Sequence, residues 1–409
     1  MTLKEELEIL RGEPIQVLDG DPMDIPCIET SDPDKLCKHP VVSVRMITYN
    51  HEPYIRQAIE GVMMQKTDFE FELIIGEDCS QDKTREICFE YQKKYPDKIR
   101  VLWWHENVSK LGGNGRRVSA RCRGEFIAFC EGDDYWIDPL KLQKQVDVMR
   151  NNHNVGLCFT NGTLYSQCNG SSREWDWERI VPHGMIEGRR FLFFNIYSHS
   201  PYERLRRESY LLTASVMVRV EMLKEARQRY EILSWKLRLG DVPLWLALAS
   251  CHDVYSIRDK TTVYRQHGNG MVARLGSVLW RDNLLTRVYF NMVALNLSNY
   301  DLPPGFTSNW HATNAAIALQ KGFLQYQKLL LKTIKNGVCR QLVVGHRIAL
   351  DVIRLYKSYC DYIVIESKWS FVQRGEGLLV SITEFVKVLF PDFARKLWRR
   401  LMHHGEYAR

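Results

Sequence analysis

Apolar runs that alternate with amphipathic stretches between residues 41 and 160 constrain the fold more than any other feature. The apolar runs are short and β-branched, as in buried strands, and the intervening stretches have the apolar spacing of helices. This alternation indicates an α/β fold with a mostly parallel, doubly wound sheet flanked by helices. We predict strands at 41–47, 71–76, 99–104, 125–130 and 155–160, and helices at 53–65, 84–95, 109–122 and 139–151.

An acidic run, Glu131-Gly132-Asp133-Asp134, follows the fourth predicted strand. Ligands of doubly wound sheets bind beyond the carboxyl ends of the strands, where this run lies. Three carboxylates against a buried strand repel one another unless a cation joins them, and Mg²⁺ or Mn²⁺ prefers such oxygen ligands. The run therefore predicts a metal site, and the alternative is an acidic turn that caps the helix starting near Pro139.

The length and charge of the chain suggest more than one compact unit. The chain has 409 residues and a formal net charge of +7, yet residues 1–40 hold ten acidic and four basic side chains. The remainder of the chain is therefore basic. A basic surface can bind ligands that carry phosphate or an anionic membrane, and the alternative is an ordinary solvated surface. We predict an acidic lead-in segment at 1–40, a catalytic domain at 41–275 and a helical region at 276–409.

The cysteines and the N-terminus indicate a cytoplasmic protein. There are 11 cysteines without a C-x-x-C pair, and several lie in apolar runs, as reduced and buried thiols do. The N-terminal residues lack the basic start and apolar stretch of a secretory signal. No apolar run reaches the length of about 18 residues that a membrane-spanning helix needs.

Five motifs in order along residues 42–270 resemble those of inverting family 2 glycosyltransferases. The resemblance implies a GT-A fold, a Rossmann-like sheet with a mixed extension, and it is closest to bacterial enzymes that build surface polysaccharides. It does not cover residues 1–38 or the chain beyond about 290. The motifs are Val42 to His51, Gly76 to Thr84, Glu131 to Asp134, Gly240 to Leu244 and Tyr264 to Gly270.

The resemblance also implies roles for individual residues in nucleotide-sugar binding. Asp78 would accept the N–H of a uracil base, and Glu131, where the family more often has Asp, would face the ribose. Asp133 would be the main ligand of Mn²⁺ or Mg²⁺, assisted by Asp134. For the segment that contains Asn107 and Asn114, an ordinary helix N-terminus is the alternative. The implied nucleotide-sugar contacts are Thr48, Tyr49, Asn50, Asp78, Asn107, Asn114, Arg116, Glu131, Asp133 and Arg265.

The two later motifs supply the candidates for the general base and for residues that contact the diphosphate. Asp241 begins an apolar helical run and is our candidate general base, although a helix N-cap is the plain alternative. Arg265 and His267 alternate onto one face of an extended stretch and could meet diphosphate oxygens, with His267 as a further metal ligand. The alternative for this stretch is a polar hairpin end.

The C-terminal part ends in a segment that combines basic and apolar residues. Phe393, Leu397, Trp398 and Leu401 fall on one helical face, and four basic residues lie beside or opposite it. Such a helix at 391–402 can lie on an anionic bilayer, at the inner face of the cell membrane, or dock on the protein surface.

Together these features predict a metal-dependent glycosyltransferase, of hexosyl or N-acetylhexosaminyl type. It would transfer a sugar with inversion from a UDP-linked donor to a glycan or lipid-linked acceptor, with no nucleic acid partner. One alternative is a sugar-nucleotide nucleotidyltransferase, but Thr48 to His51 lacks the glycine-rich loop of such enzymes. The other is a non-catalytic glycan-binding protein on a transferase fold, against which the intact Asp133, Asp241 and His267 argue.

Overall fold

The computed structural model divides the chain into two compact units. One comprises Pro14–Leu192 and Tyr210–Thr286, and the other comprises Met1–Glu13, Phe193–Ser209 and Arg287–Arg409. Most of the predicted helical region at 276–409, including the basic segment 391–402, lies outside the residues that the structure describes. Those residues are 2–11, 14–18, 26–111, 114–175, 183–188, 191–192, 211–237, 240–268, 270, 282, 285–290 and 293.

Both ends are defined for seven α-helices and eleven strands within the described part of the chain. The helices are α1 (Leu3–Arg11), α2 (Ile55–Met63), α3 (Thr84–Lys94), α4 (Asn114–Ala120), α5 (Lys141–Asn151), α6 (Val220–Arg229) and α7 (Asp241–Cys251). The strands are β1 (Ile28–Thr30), β2 (Val42–Thr48), β3 (Phe71–Glu77), β4 (Ile99–Trp103), β5 (Phe126–Phe129), β6 (Tyr135–Trp136), β7 (Val155–Ser166), β8 (Ser171–Trp175), β9 (Gly184–Ile186), β10 (Val216–Arg219) and β11 (Asp253–Gln266).

One sheet contains all eleven strands, in the order β1-β4-β3-β2-β5-β10-β7-β11-β6, with β8 on β7 and β9 on β11. Strands β4, β3, β2 and β5 are parallel neighbours, and Val42 is in register with both Phe71 and Phe126. This parallel centre confirms the predicted α/β class with a GT-A, Rossmann-like arrangement. Beyond it, β10 is inserted antiparallel between β5 and β7, and β11 runs parallel to β7.

Burial on both faces explains why the central strands read as continuous apolar runs. Every residue of β3 is buried, and the two faces of the sheet pack into separate clusters. Val44 and Leu73 belong to the larger cluster with α2 and α5, whereas Ile74 and Val118 belong to the smaller one on the α4 side. Parallel strands covered on both faces lose the alternation of polar and apolar residues.

Part of the acidic lead-in belongs to the sheet. Strand β1 pairs antiparallel with β4 at the edge of the parallel centre. The side chain of Glu29 accepts hydrogen bonds of 2.8 and 3.0 Å from Arg100, which also contacts the buried Glu72. Farther upstream, Val17 bridges to Trp235. Among the helices that the structure describes, none combines the length and apolar character required to cross a bilayer.

Candidate active site

The acidic run lies against the end of β2. The backbone N–H of Gly132 donates to the carbonyl of Ile47 at 3.0 Å. A Cβ at position 132 would lie 2.7 Å from Oγ1 of Thr48 and 2.9 Å from Nδ1 of His51. Only glycine therefore allows this close approach, which brings the carboxylates to the carboxyl edge of the sheet.

Asp133 is at the centre of the candidate site. Its Oδ2 lies 3.1 Å from Nε2 of His267 and 3.7 Å from Nε2 of His51. Burial by itself raises the pKa of Asp133, but the hydrogen bond from His267 and the nearby His51 hold that pKa below its ordinary value. Nδ1 of each histidine is buried without a hydrogen-bond partner within the described part of the chain. The arrangement is an ionised carboxylate flanked by two imidazoles.

Asp134 has a different environment from Asp133. It is 3% exposed, and its Oδ1 accepts a 2.8 Å hydrogen bond from the backbone N–H of Arg265 on β11. Burial and the adjacent Asp133 raise the pKa of Asp134 well above its ordinary value. Among the described residues, the predicted metal ligands Asp133, Asp134 and His267 do not converge with ligand atoms within 4.8 Å of one another. The structure brings Asp133 and His267 together and turns Asp134 toward β11.

Arg265 is held by several groups. Its Nε donates to the carbonyl of Asp133 at 2.9 Å, and its NH2 group donates to Oε1 of Gln57 at 2.6 Å. The guanidinium also lies over the rings of Tyr54 and Tyr135, with centroid distances of 4.9 and 5.0 Å. In this structure Arg265 therefore fixes the acidic run, and its contact with a diphosphate stays a prediction.

Glu131 pairs with Arg45, a residue for which the sequence suggested no role. The Arg45 guanidinium donates to Oε1 of Glu131 at 2.8 Å and stacks on Phe129. Burial, opposed by Arg45 and reinforced by Asp133 and Asp241, raises the pKa of Glu131 to about 7. A charged residue in the middle of the otherwise apolar strand β2 was the signal that could have identified Arg45 as a site residue.

Side-chain hydrogen bonds join the loops that follow β2 and β3. The N–H of Asn50 donates to Oγ of Ser80 at 2.9 Å, and Oδ1 of Asn50 accepts from the N–H of Gln81 at 2.8 Å. The N–H of Glu52 donates to Oδ2 of Asp82 at 3.0 Å, while its carboxylate accepts from the N–H of Lys83 at 3.1 Å. Asn50 has a φ of 55°, which asparagine tolerates well. The two loops form one hydrogen-bonded unit.

Asp82 lies just before the start of α3. The residue at the N-cap is Lys83, and Asp82 accepts the N–H of Thr84 at 3.0 Å from just outside the helix. Its carboxylate thus links the loop after β2 to the start of α3.

The predicted base-binding residue Asp78 supports the adjacent 3₁₀ turn Val108–Leu111. Its carboxylate accepts hydrogen bonds from the N–H groups of Val108, at 2.7 Å, and Ser109, at 3.1 Å, and from the Ser109 hydroxyl. Asn107 donates to the carbonyl of Asp78 at 3.2 Å, and Asn114 donates to that of Gly76 at 2.7 Å. These three residues hold the loop after β4 to the end of β3, and their contacts with a nucleotide stay predictions.

The other predicted nucleotide contacts lie around the same edge of the sheet. Thr48 is buried, and within the described residues its Oγ1 finds no hydrogen-bond partner. The side chain of Tyr49 is 37% exposed, and Arg116 lies half-buried on α4. Thr48 thus offers a free hydroxyl beside Gly132, and Tyr49 offers an accessible ring.

Asp241, the predicted base, is the first residue of α7, and Gly240 is the N-cap. Its Oδ2 accepts a 2.8 Å hydrogen bond from the hydroxyl of Thr213, and its Oδ1 accepts from the N–H of Val242 at 2.8 Å. The charge of Asp241 contributes to the raised pKa values of Glu131 and Tyr264, so Asp241 faces the same region as the acidic run. The sequence did not reveal Thr213 as the partner of Asp241.

A parallel α/β half-sheet with a D-x-D-like run at its carboxyl edge defines the class as a GT-A-type transferase fold. Residues 43–212 match the family described as Glycosyl transferase family 2. This stretch of the chain is therefore similar to a family 2 glycosyltransferase domain.

Relatives support the same family. An uncharacterized protein, Rv1520 of Mycobacterium tuberculosis, is 35% identical over 165 residues, which are 39% of this chain and 47% of that protein. The putative teichuronic acid biosynthesis glycosyltransferase TuaG of Bacillus subtilis is 33% identical over 31% of this chain and 49% of its own length. The dTDP-rhamnosyl transferase RfbG of Shigella flexneri is 24% identical over 64% and 90%. The chain spans about half the length of the first of these relatives.

Among solved structures, S. aureus TarS 1–349 in complex with UDP-GlcNAc is similar with a TM-score of 0.48 and 16% identity. The match covers 82% of this chain and 93% of that one.

Proposed function

We propose that this protein transfers a sugar, with inversion, from a nucleotide-sugar donor to a glycan or lipid-linked acceptor in polysaccharide biosynthesis. The observation that carries the proposal is the arrangement of two differently supported carboxylates at one sheet edge. Asp133 is ionised between His51 and His267, and Asp241 is oriented by Thr213. Asp133 is suited to binding a metal ion that contacts the diphosphate, and Asp241 is suited to accepting a proton.

The residues around Asp133 fit a divalent cation. The 3.1 Å between Oδ2 of Asp133 and Nε2 of His267 is close to the spacing of about 3 Å between neighbouring ligands of an octahedral ion with bonds of about 2.1 Å. Asp134 would join them only after leaving the N–H of Arg265. A bound Mn²⁺ or Mg²⁺ would neutralise the charge of the diphosphate leaving group. The match of residues 43–212 to the family 2 model supports this proposal.

Asp241 would act as the general base. The acceptor hydroxyl would attack the anomeric carbon opposite the diphosphate, so that the new C–O bond forms as the bond to phosphate oxygen breaks. The proton of the hydroxyl would pass to the Asp241 carboxylate. Since Thr213 and the N–H of Val242 each hold one oxygen, the carboxylate has a fixed orientation for this transfer.

A pyrimidine nucleotide is the donor that the loop after β3 favours. Asp78 would accept the imide N–H that uracil and thymine share, while Glu131, which is paired with Arg45, would face the ribose. The similarity to RfbG, a dTDP-rhamnosyl transferase, supports a pyrimidine donor, and the similarity to TuaG, a putative teichuronic acid biosynthesis glycosyltransferase, supports polysaccharide synthesis. We propose a UDP-linked hexose or N-acetylhexosamine as the first donor to test, with dTDP-sugars beside it.

A nucleotide-sugar panel tests the proposed function. Thermal unfolding of the full chain should shift upward with a matching UDP- or dTDP-sugar, and more strongly when Mn²⁺ or Mg²⁺ is present. Donor turnover followed by NMR should then give a product with inverted anomeric configuration. If sugar 1-phosphate and nucleoside triphosphate are instead converted to pyrophosphate, the protein is a nucleotidyltransferase. Absence of stabilisation and turnover with every donor would refute the transferase proposal.

A further inference from the structure

A second cluster of metal-ligating side chains lies away from the acidic run. Glu225 is on α6, and Cys251 and His252 lie at the end of α7, just before β11 begins. His252 precedes the 14-residue strand β11, whereas His267 follows it. A strand of that length spans roughly 40 Å, so the two histidines lie near opposite ends of the sheet. The proposed function uses none of these three residues.

The spacing of the three side chains fits a tetrahedral cation. One ligand atom of each residue lies within 4.8 Å of the other two. Nε2 of His252 and Oε2 of Glu225 are 3.3 Å apart. Two ligands of a tetrahedral zinc ion with bonds of about 2.0–2.1 Å are separated by about 3.3 Å. Glu225 has a 54% exposed side chain, so it can adjust toward the sulfur without disturbing the core.

His252 supplies an independent indication of a ligand. Its side chain is 11% exposed, and apart from the Glu225 carboxylate at 3.3 Å its buried Nε2 has no polar partner within the described residues. The backbone of His252 packs closely against Gly188. A Cβ at position 188 would lie only 2.0 Å from the carbonyl oxygen of His252.

The sulfur of Cys251 completes the set. Its other polar contacts are the hydroxyl of Tyr230, at 3.6 Å, and the guanidinium of Arg229, at 3.7 Å. Both are ordinary lengths for hydrogen bonds of sulfur, and a thiolate can accept such bonds while another of its lone pairs binds a metal. Cysteine, histidine and glutamate together favour zinc over the hard cations that the acidic run suits.

We propose that Glu225, Cys251 and His252 bind a zinc-type divalent cation, separate from the site at Asp133. The ion would join the middle of α6 to the junction of α7 and β11. Three protein ligands leave a fourth position for water.

Cobalt(II) substitution in the full-length protein tests this site. In excess Mg²⁺, which occupies oxygen ligands, about one equivalent of Co²⁺ should produce the near-ultraviolet charge-transfer band of a cobalt–thiolate bond. Cys251→Ser should abolish the band, and Glu225→Gln should weaken Co²⁺ binding. Because Glu225 is exposed, the second variant is expected to fold normally, which circular dichroism would verify. A site at Asp133 cannot give this band, since it has no thiolate, so the result is independent of the proposed function.

Two matched variants serve as controls. Cys168→Ser removes an exposed cysteine outside the cluster, and Glu221→Gln removes an exposed acid from the same helix as Glu225. Both should retain the band and the affinity of the wild type. A wild-type protein without the band, or a band that survives Cys251→Ser, would overturn the proposal.

Discussion

Asp133 and Asp134 are neighbours in sequence with opposite electrostatic environments. The pKa of Asp133 is lowered by histidine contacts, and that of Asp134 is raised by burial beside Asp133. The sequence predicted an acidic site at this position and Asp133 as its main residue. It could not predict the separate orientation of Asp134, because that depends on a backbone N–H 131 residues away. The contact of Glu131 with Arg45 was also not predictable from the sequence, because it depends on how distant segments of the chain pack together.

Asp133→Asn keeps the size of the side chain and removes its charge. We expect loss of metal-dependent stabilisation by the donor and a fall in turnover of at least about 100-fold, as for other residues that stabilise transition-state charge. Calorimetry of donor binding with and without Mn²⁺ would measure the first effect. Asp147→Asn, on the exposed face of α5, is the matched control. Full wild-type activity in chelator would contradict the metal role.

Asp241→Asn should preserve donor binding and abolish sugar transfer, because an amide cannot take up the proton of the attacking hydroxyl. Thr213→Val should lower kcat while leaving the donor Kd close to that of the wild type, and Thr213→Ser, which keeps the hydroxyl, should restore most of the rate. Steady-state kinetics and donor titration separate these effects. If Asp241→Asn abolished donor binding or folding, its role would be that of a structural residue at the start of α7.

Lys141 predicts a pH dependence of stability. It is fully buried on α5, donates to Oε1 of Gln145 at 2.5 Å and lies over the ring of Trp136. Burial lowers the pKa of Lys141 to about 7. In the unfolded chain the amine stays protonated to about pH 10.4, so between these values the unfolded state binds more protons and stability rises with pH.

The difference between wild type and Lys141→Met isolates this effect. Urea unfolding at several pH values should show wild-type stability rising from pH 7 to 8.5 relative to the variant. Below pH 7 the difference between the two proteins should become constant, since the lysine is protonated in both states. A difference that is the same at every pH would show that Lys141 titrates normally.

At the scale of the elements, the sequence predicted the parallel centre well. Strands β2 to β5 and helices α2 to α5 form long periodic segments whose partners follow closely in the chain. The mixed part was less predictable, because β10 has four residues and pairs with β5, about 90 residues upstream. Of strand β11 only the extended stretch around Arg265 was predicted, and exposed residues at 258–260 interrupt the burial pattern of the strand.

Helix α7 is buried around its whole circumference between Val242 and Ala249, so its side chains should matter strongly for stability. Trp245 is 3% exposed and packs edge-to-face on Phe129, with ring centroids 5.0 Å apart. We expect Trp245→Ala to lower the free energy of unfolding by about 3–5 kcal/mol. Trp245→Phe should cost much less, because it keeps a ring and removes a buried N–H that has no partner among the described residues. Denaturant unfolding that gave equal losses for both variants would refute this explanation.

At the scale of the whole molecule, the charge distribution is the feature with a functional prediction. An acidic segment precedes a basic body, and the basic segment at 391–402 was predicted to contact anionic lipid. We propose that this segment brings the enzyme to a lipid-linked acceptor at the inner face of the membrane. Each basic residue near an anionic surface contributes about 1 kcal/mol to binding.

Deletion of residues 391–409 should reduce sedimentation with vesicles that contain anionic lipid. Binding to neutral vesicles should be weak for both proteins, and donor stabilisation should be unchanged in the truncated chain. A milder variant, Arg399→Gln with Arg400→Gln, keeps the length of the chain and should give an intermediate loss. Equal partitioning of the truncated and full-length proteins would exclude the membrane role of this segment.

The hydrogen bonds between the loops after β2 and β3 have a consequence for engineering donor preference. Asn50 and Glu52 on one loop exchange hydrogen bonds with Ser80 to Lys83 on the other. The conformation of each loop therefore depends on the other loop. A chimera that imports one loop from a relative would inherit contacts without their partners. Segments 48–52 and 77–84 should therefore be exchanged together in a chimera. A change of nucleotide specificity is expected to require changes in both segments.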